Sequence, residues 1–128
     1  MAHSADAAVD RLLDDPGLIR TVAERMQALS SPSRLRILSR LHAGPASVTE
    51  LASAVGMEGS AVSHQLRLLR HLGMVVGQRD GRQVVYELHD DHVGEMLEQV
   101  VSHLDHVRLG LAGRHGAVEA VGAAGSAR

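Results

Sequence analysis

Four residues in the last third of the chain carry the sharpest chemical pattern: Asp90, His92, His103 and His106. They read as Asp-x-His, ten intervening residues, then His-x-x-His. Three imidazoles and one carboxylate make a nitrogen/oxygen donor set suited to a divalent first-row metal. At ~100° per residue, His92 and His103 fall within about 20° of each other on a helix, and His103 and His106 lie one turn apart. Yet His92 and His103 are separated by roughly 16 Å along the axis. Metal bonds of ~2 Å cannot join them within one helix. Antiparallel pairing of two copies brings Asp90 and His92 of one beside His103 and His106 of the other. The spacing therefore predicts a homodimer with paired C-terminal helices and two symmetric intersubunit sites. The chain holds nine histidines, so no single one is informative; the fixed pattern is. His42, His71 and His89 read as helix-end or surface residues.

A second constellation lies upstream. Ser60, Ser63, His64 and Gln65 open a short helical segment, followed by Arg67 and Arg70. Small polar residues in a first helical turn suit base edges in the DNA major groove, and Gln can pair with adenine. Arg67 and Arg70 suit phosphates. Arg79 and Arg82 flank an Asp80-Gly81 hairpin signal, where a wing meets the DNA backbone or minor groove. Val48, at the start of the preceding helix, joins this contact set.

Charge supports that reading locally. The chain's formal net charge is -2, but residues 31–82 carry seven arginines against Glu50, Glu58 and Asp80. That basic module sits between two acidic flanks, and local charge governs phosphate contact more than the total does. With no cysteine, disulfides and thiolate metal sites are excluded. No apolar run reaches membrane-span length and no signal-peptide pattern opens the chain, so a cytoplasmic protein without membrane association is expected. Tyr86 is the one aromatic, so the core must be aliphatic.

The elements that would position these residues follow from caps and periodicity. Asp15-Pro16 starts a helix bearing Leu18, Ile19, Val22, Met26 and Leu29, and Ser31-Pro32 starts another bearing Leu35, Ile37, Leu38 and Leu41. Ser47 and Glu50 form a capping box for a short helix ending at Gly56. Ser60 is expected to cap a helix over 61–72, with Val62, Leu66, Leu69 and Leu72 buried and Gly73 as stop. Two β-prone runs then flank Asp80-Gly81 as a hairpin. Asp90 or Asp91 caps a long helix reaching about Gly110, with Val93, Met96, Leu97, Val100, Val101, Leu104 and Val107 apolar. The expectation is a mainly α chain with a β-hairpin wing: a winged helix-turn-helix over 15–110. A flexible N-terminal arm (1–14), where Val9, Leu12 and Leu13 allow a short helix, and a flexible tail (111–128) flank it.

These residues resemble the ArsR/SmtB family of metal-sensing repressors over about residues 17–110. The resemblance rests on Leu29-Ser-Ser-Pro-Ser-Arg-Leu-Arg-Ile-Leu38, Ser60-Ala-Val-Ser-His-Gln-Leu-Arg-Leu-Leu69 and the four-ligand pattern. It implies a transcriptional repressor, not an enzyme: an apo dimer on double-stranded operator DNA, released when metal binds. The family's thiolate site falls at Glu50-Leu-Ala-Ser-Ala54, where no Cys stands, which argues against arsenic, cadmium or lead.

The chain is most similar to the mycobacterial nickel/cobalt-sensing branch. That similarity implies Ni(II) or Co(II) as effector and adds ligands from the ends. His115 stands in the matching tail segment, and loss of Met1 would leave the Ala2 amine beside His3. Arg108 stands where that branch has another histidine. Six ligands suit octahedral nickel or cobalt(II); the four alone suit tetrahedral Zn(II). The resemblance also implies an allosteric link from metal-bound His103 to a carbonyl near Gly73. A zinc sensor using four ligands, or a metal-insensitive DNA-binding regulator, is the alternative. A metal-dependent enzyme lacks support, since no His-Glu-x-x-His or nucleophile motif is present.

Overall fold

The computed structural model describes the backbone of residues 2–122 and the side chains of residues 7–110. Six helices and three strands follow in the order α1 (Ala2–Asp14), α2 (Pro16–Leu29), α3 (Pro32–His42), β1 (Ala46–Ser47), α4 (Val48–Val55), α5 (Gly59–His71), β2 (Val75–Asp80), β3 (Gln83–Leu88) and α6 (Asp91–Gly122). They form two compact units, one ending at Asp90 and the other beginning at Asp91. Among the described residues, no helix is long and apolar enough to cross a membrane.

The first unit is held by an aliphatic core. Ile37 and Leu38 of α3, Leu51 of α4, Val62, Leu66 and Leu69 of α5 and Val75 of β2 are all fully buried. Their helical spacing packs α3, α4 and α5 together, and α5 leads directly into the hairpin. Among the described residues, no buried side-chain polar atom lacks a partner.

Most helix starts follow the expected caps. Asp15 accepts from the Leu18 N–H at 3.0 Å, and Ser31 accepts from the Arg34 N–H. Both have Pro in the first turn, where the missing N–H costs nothing. Ser47 and Glu50 form the complete capping box: the Glu50 N–H donates to Ser47 Oγ at 3.2 Å, and the Ser47 N–H donates to Glu50 Oε1 at 3.0 Å. Gly56 closes α4 at φ 67°, a left-handed conformation that suits glycine.

Two boundaries differ from expectation. Helix α5 begins at Gly59, with Glu58 in the cap position and no side-chain cap bond, so Ser60 lies inside the first turn. Here the backbone path after Gly56 sets the start, and the Glu58 carbonyl accepts from the Val62 N–H at 3.0 Å. The hairpin pairs Asp80 with Gln83, so its central residues are Gly81 and Arg82, one step later than Asp-Gly. Gly81 has φ +64°, and glycine at the first central position is the requirement of a type II′ turn. Helix α1 covers residues 2–14, where Val9, Leu12 and Leu13 allow a short helix, and α6 continues beyond Gly110 as far as Gly122. Alanine-rich composition favours helix there without requiring an apolar face. Strand β1, unforeseen, pairs antiparallel with β3 at Ala46↔Tyr86 and Ser47↔Val85, giving a three-stranded sheet ordered β1-β3-β2.

The capping box makes a stability prediction. Its two hydrogen bonds with Ser47, backbone first, hold the Glu50 carboxyl below its ordinary value, with Arg40 adding a smaller push the same way. A lowered carboxyl pKa stabilises the fold above the unfolded-state value, and that stability is lost as pH falls through the folded value. Ser47→Ala should cost about 1 kcal/mol in denaturant unfolding at neutral pH. Glu50→Gln should show a shallower loss of thermal midpoint below about pH 4.3 than the wild type does.

Candidate nucleic-acid interface and metal ligands

Burial of Val62, Leu66 and Leu69 fixes the rotation of α5 and thereby its solvent face. Ser60, Ser63, His64 and Arg67 are exposed along that face, and Arg70 and His71 continue it. At ~100° per residue, Ser60, Ser63, His64 and Arg67 occupy one stripe opposite the buried one. His71 falls in the middle of the same stripe, a place its surface reading did not anticipate. The arrangement offers hydroxyls and an imidazole in the first two turns and a guanidinium behind them, which fits base edges followed by phosphate.

Val48 opens α4 and is half-buried. Its Cγ1 lies 3.8 Å from where a Gly59 Cβ would stand, so the starts of α4 and α5 adjoin. Arg79 near the end of β2 and Arg82 in the hairpin turn are both exposed, at the tip of the wing.

Gln65 is placed differently from its neighbours. It is half-buried on the flank of α5, and its Oε1 accepts from Arg34 Nη1 at 3.1 Å. The same guanidinium donates through Nε to the carbonyl of Ala28, at the end of α2. In the sequence, Arg34 counts among the seven arginines of the basic module but has no positioning role. The signal was available: an arginine just after a helix end is placed to serve that helix's unpaired carbonyls.

Helix α6 is described by itself. Val100, Val101, Leu104 and Val107 are exposed by 38–58%. His92, His103 and His106 are exposed as well. The two sets run along adjacent stripes, about 100° apart around the axis. Among the described residues, no three His, Cys, Asp or Glu groups of one chain converge on a metal position. His92 and His103 are held apart by three helical turns, as the rise per residue demands. Asp90 precedes the helix, and its Oδ2 lies 3.2 Å from His89 Nδ1. The donor set is chemically suited to zinc, nickel or cobalt: imidazoles and a carboxylate, all on exposed residues. Gly73 follows α5 with φ +74°, and its N–H donates to the Arg70 carbonyl at 3.0 Å. Ala2, His3 and His115 have side chains outside the described residues.

Residues 29–78 match a family model described as a helix-turn-helix domain. Over 94 residues the chain is 57% identical to the HTH-type transcriptional regulator NmtR of Mycobacterium tuberculosis, covering 73% of this chain and 78% of that one. The solution structure of apo-NmtR superposes with a TM-score of 0.64 at 54% identity, over 72% of this chain and 77% of that one. A transcriptional repressor SmtB homolog of Synechocystis is 46% identical over 83 residues, 65% of this chain and 63% of that relative. The homodimeric winged helix-turn-helix DNA-binding domain Mb0332 of Mycobacterium bovis, described as a possible ArsR-family transcriptional regulator, superposes with a TM-score of 0.63. It is 34% identical, over 70% of this chain and 86% of that one.

If the exposed stripe of α5 meets DNA, it should make two separable kinds of contact. Arg67→Ala should weaken binding about equally on matched and mismatched duplexes and lower the slope of log K against log salt by about 1. His64→Ala should instead flatten the preference at a base position. Anisotropy titrations at several salt concentrations distinguish the two patterns.

Proposed function

The chain belongs to the ArsR/SmtB family of metal-sensing transcriptional repressors, DNA-binding regulators rather than enzymes, and we propose that it is a nickel- or cobalt-responsive member. In this reading an apo homodimer holds operator DNA through α5 and the wing, and metal binding releases it. The observation that carries the metal half is the arrangement of α6. Its histidine stripe is exposed, is too long for one ion, and runs beside an exposed apolar stripe. A second α6 laid antiparallel would cover Val100, Leu104 and Val107 and would set Asp90 and His92 against the partner's His103 and His106.

The residues have separable tasks. Val100, Val101, Leu104 and Val107 supply apolar contact between copies. Asp90 and His92 supply one half of each ligand set, and His103 and His106 the other. A bound divalent ion supplies a cross-link between the two chains. Ser60, Ser63, His64 and Arg67 meet the DNA, and the proposed response is a change in the spacing of the two α5 helices. Half-sites one helical turn apart, about 34 Å, make simultaneous docking sensitive to that spacing. A coupling of about 1–3 kcal/mol is enough for regulation. The proposed link between His103 and the Gly73 region carries this coupling.

The resemblance to the nickel/cobalt-sensing branch supports nickel or cobalt, with His115 or the Ala2–His3 end completing six ligands. Four nitrogen and oxygen ligands alone would favour tetrahedral zinc. Anisotropy on an operator duplex with Zn(II), Ni(II) and Co(II) added separately decides between them. Release by nickel or cobalt is expected, and no response to any of the three sinks the sensor reading. Weak Co(II) absorption bands are expected for a six-ligand shell; intense tetrahedral bands would leave the four-ligand zinc site.

Mixing two defective chains tests the shared site. His92→Ala and His106→Ala each damage both sites of a homodimer. In the mixed dimer one site keeps all four ligands and the other loses two. Titration of the mixture should recover one tight site per mixed dimer. Failure to recover any tight binding in mixed dimers of verified composition would rule out the intersubunit arrangement.

A further inference from the structure

The Arg34 side chain ties three helices together. Its backbone sits in the first turn of α3, where Ser31 caps its N–H. Its Nε donates to the Ala28 carbonyl in the last turn of α2, one of the four carbonyls a helix end leaves unpaired. Its Nη1 donates to Gln65 Oε1 on α5. Arg34 and Gln65 are both half-buried, so the contact is partly shielded from water. A hydrogen bond to a charged donor in such a place is worth more than a neutral surface one.

The chemistry of this contact constrains what Gln65 can read. Arginine carries only donors, so the atom facing it must be the amide oxygen. That engages one of the oxygen's two lone pairs and turns the amide oxygen toward Arg34, so it cannot swing out to a base without giving up a charged donor. Pairing with adenine needs both ends of the amide, the oxygen for the base's N6 amino group and the NH2 for its N7. Gln65 also lies on the flank of α5 and not on its exposed stripe.

We propose that Arg34 is a positioning residue that clamps the recognition helix α5 to the end of α2 through Gln65, and that Gln65 serves this clamp in place of reading a base. Discrimination between sequences then belongs to Ser60, Ser63 and His64. This rests on α5 being the DNA-reading helix.

The test uses the full-length chain, selection from a pool of randomised duplexes, anisotropy on the selected duplex, and thermal melting. Gln65→Glu keeps an acceptor for Arg34; it should melt no lower than the wild type and select the same bases at every position. Gln65→Met removes the acceptor and should melt lower, with unchanged base preferences. Arg34→Lys keeps the charge but loses the fork that spans two acceptors. It should bind matched and mismatched duplexes equally more weakly, by about tenfold, the equivalent of one charge-assisted hydrogen bond. A switch from adenine to cytosine at one position in Gln65→Glu would overturn the proposal, because a carboxylate accepts from cytosine N4. So would Gln65→Met that melts and binds like the wild type. A wild-type chain that enriches no duplex would overturn the DNA-reading role of α5 as well, which separates the two failures.

Discussion

Burial of one stripe of α5 is the constraint on which the rest depends. Val62, Leu66 and Leu69 recur at one-turn intervals and are fully buried, with α5 packed against α4 and β2. Each contributes about 1.5–3 kcal/mol of burial, so rotating α5 by a quarter turn would forfeit several such contributions at once. The helix is therefore fixed about its own axis, and Ser60, Ser63, His64 and Arg67 face solvent as a consequence. With one aromatic residue in the chain, the core has no large ring to anchor it. Alignment depends on many aliphatic contacts, helped by caps and by polar clamps such as the one Arg34 provides.

Local features of the fold were legible in the sequence because their causes are local. Asp15, Ser31 and Ser47 each bond to a backbone N–H three residues ahead, and a span that short shows in residue order. The start of α5 was not legible in that way, since Glu58 occupies the cap without using its side chain. The hairpin was legible, but its turn was not fully so. Asp-Gly and Gly-Arg both fit a two-residue loop, and only the pairing of β2 with β3 chooses Gly81 and Arg82 as the centre. Strand β1 depends on Tyr86 and Val85, some forty residues along the chain, and two residues carry no periodicity of their own.

The same distinction runs through the candidate site. The exposed residues of α5 could be read from periodicity, because the buried stripe implies its opposite. Gln65 could not. Its neighbours in sequence are candidate DNA contacts, and only the position of Arg34 on another helix shows that its oxygen is turned toward a charged donor. A residue type that suits base recognition is thus a weak guide until its hydrogen-bonding capacity in the fold has been counted.

For the proposed metal ligands the relation is reversed: spacing says more than any single chain can. A helix rises ~1.5 Å per residue whatever its sequence, so His92 and His103 stay apart however the rest of the molecule packs. A shared ion then requires a second helix, and antiparallel pairing is the arrangement that opposes the two halves of the ligand set. The apolar stripe of α6 gives such pairing its own driving force, because four exposed aliphatic side chains gain by leaving water. The stripes lie about 100° apart, so coordination flanks the apolar seam and does not replace it. In the proposed dimer, then, metal is not needed to bring the helices together. It chooses among nearby ways of pairing them, and a choice of that kind is what a sensor requires: a differential affinity for two arrangements of the same two chains.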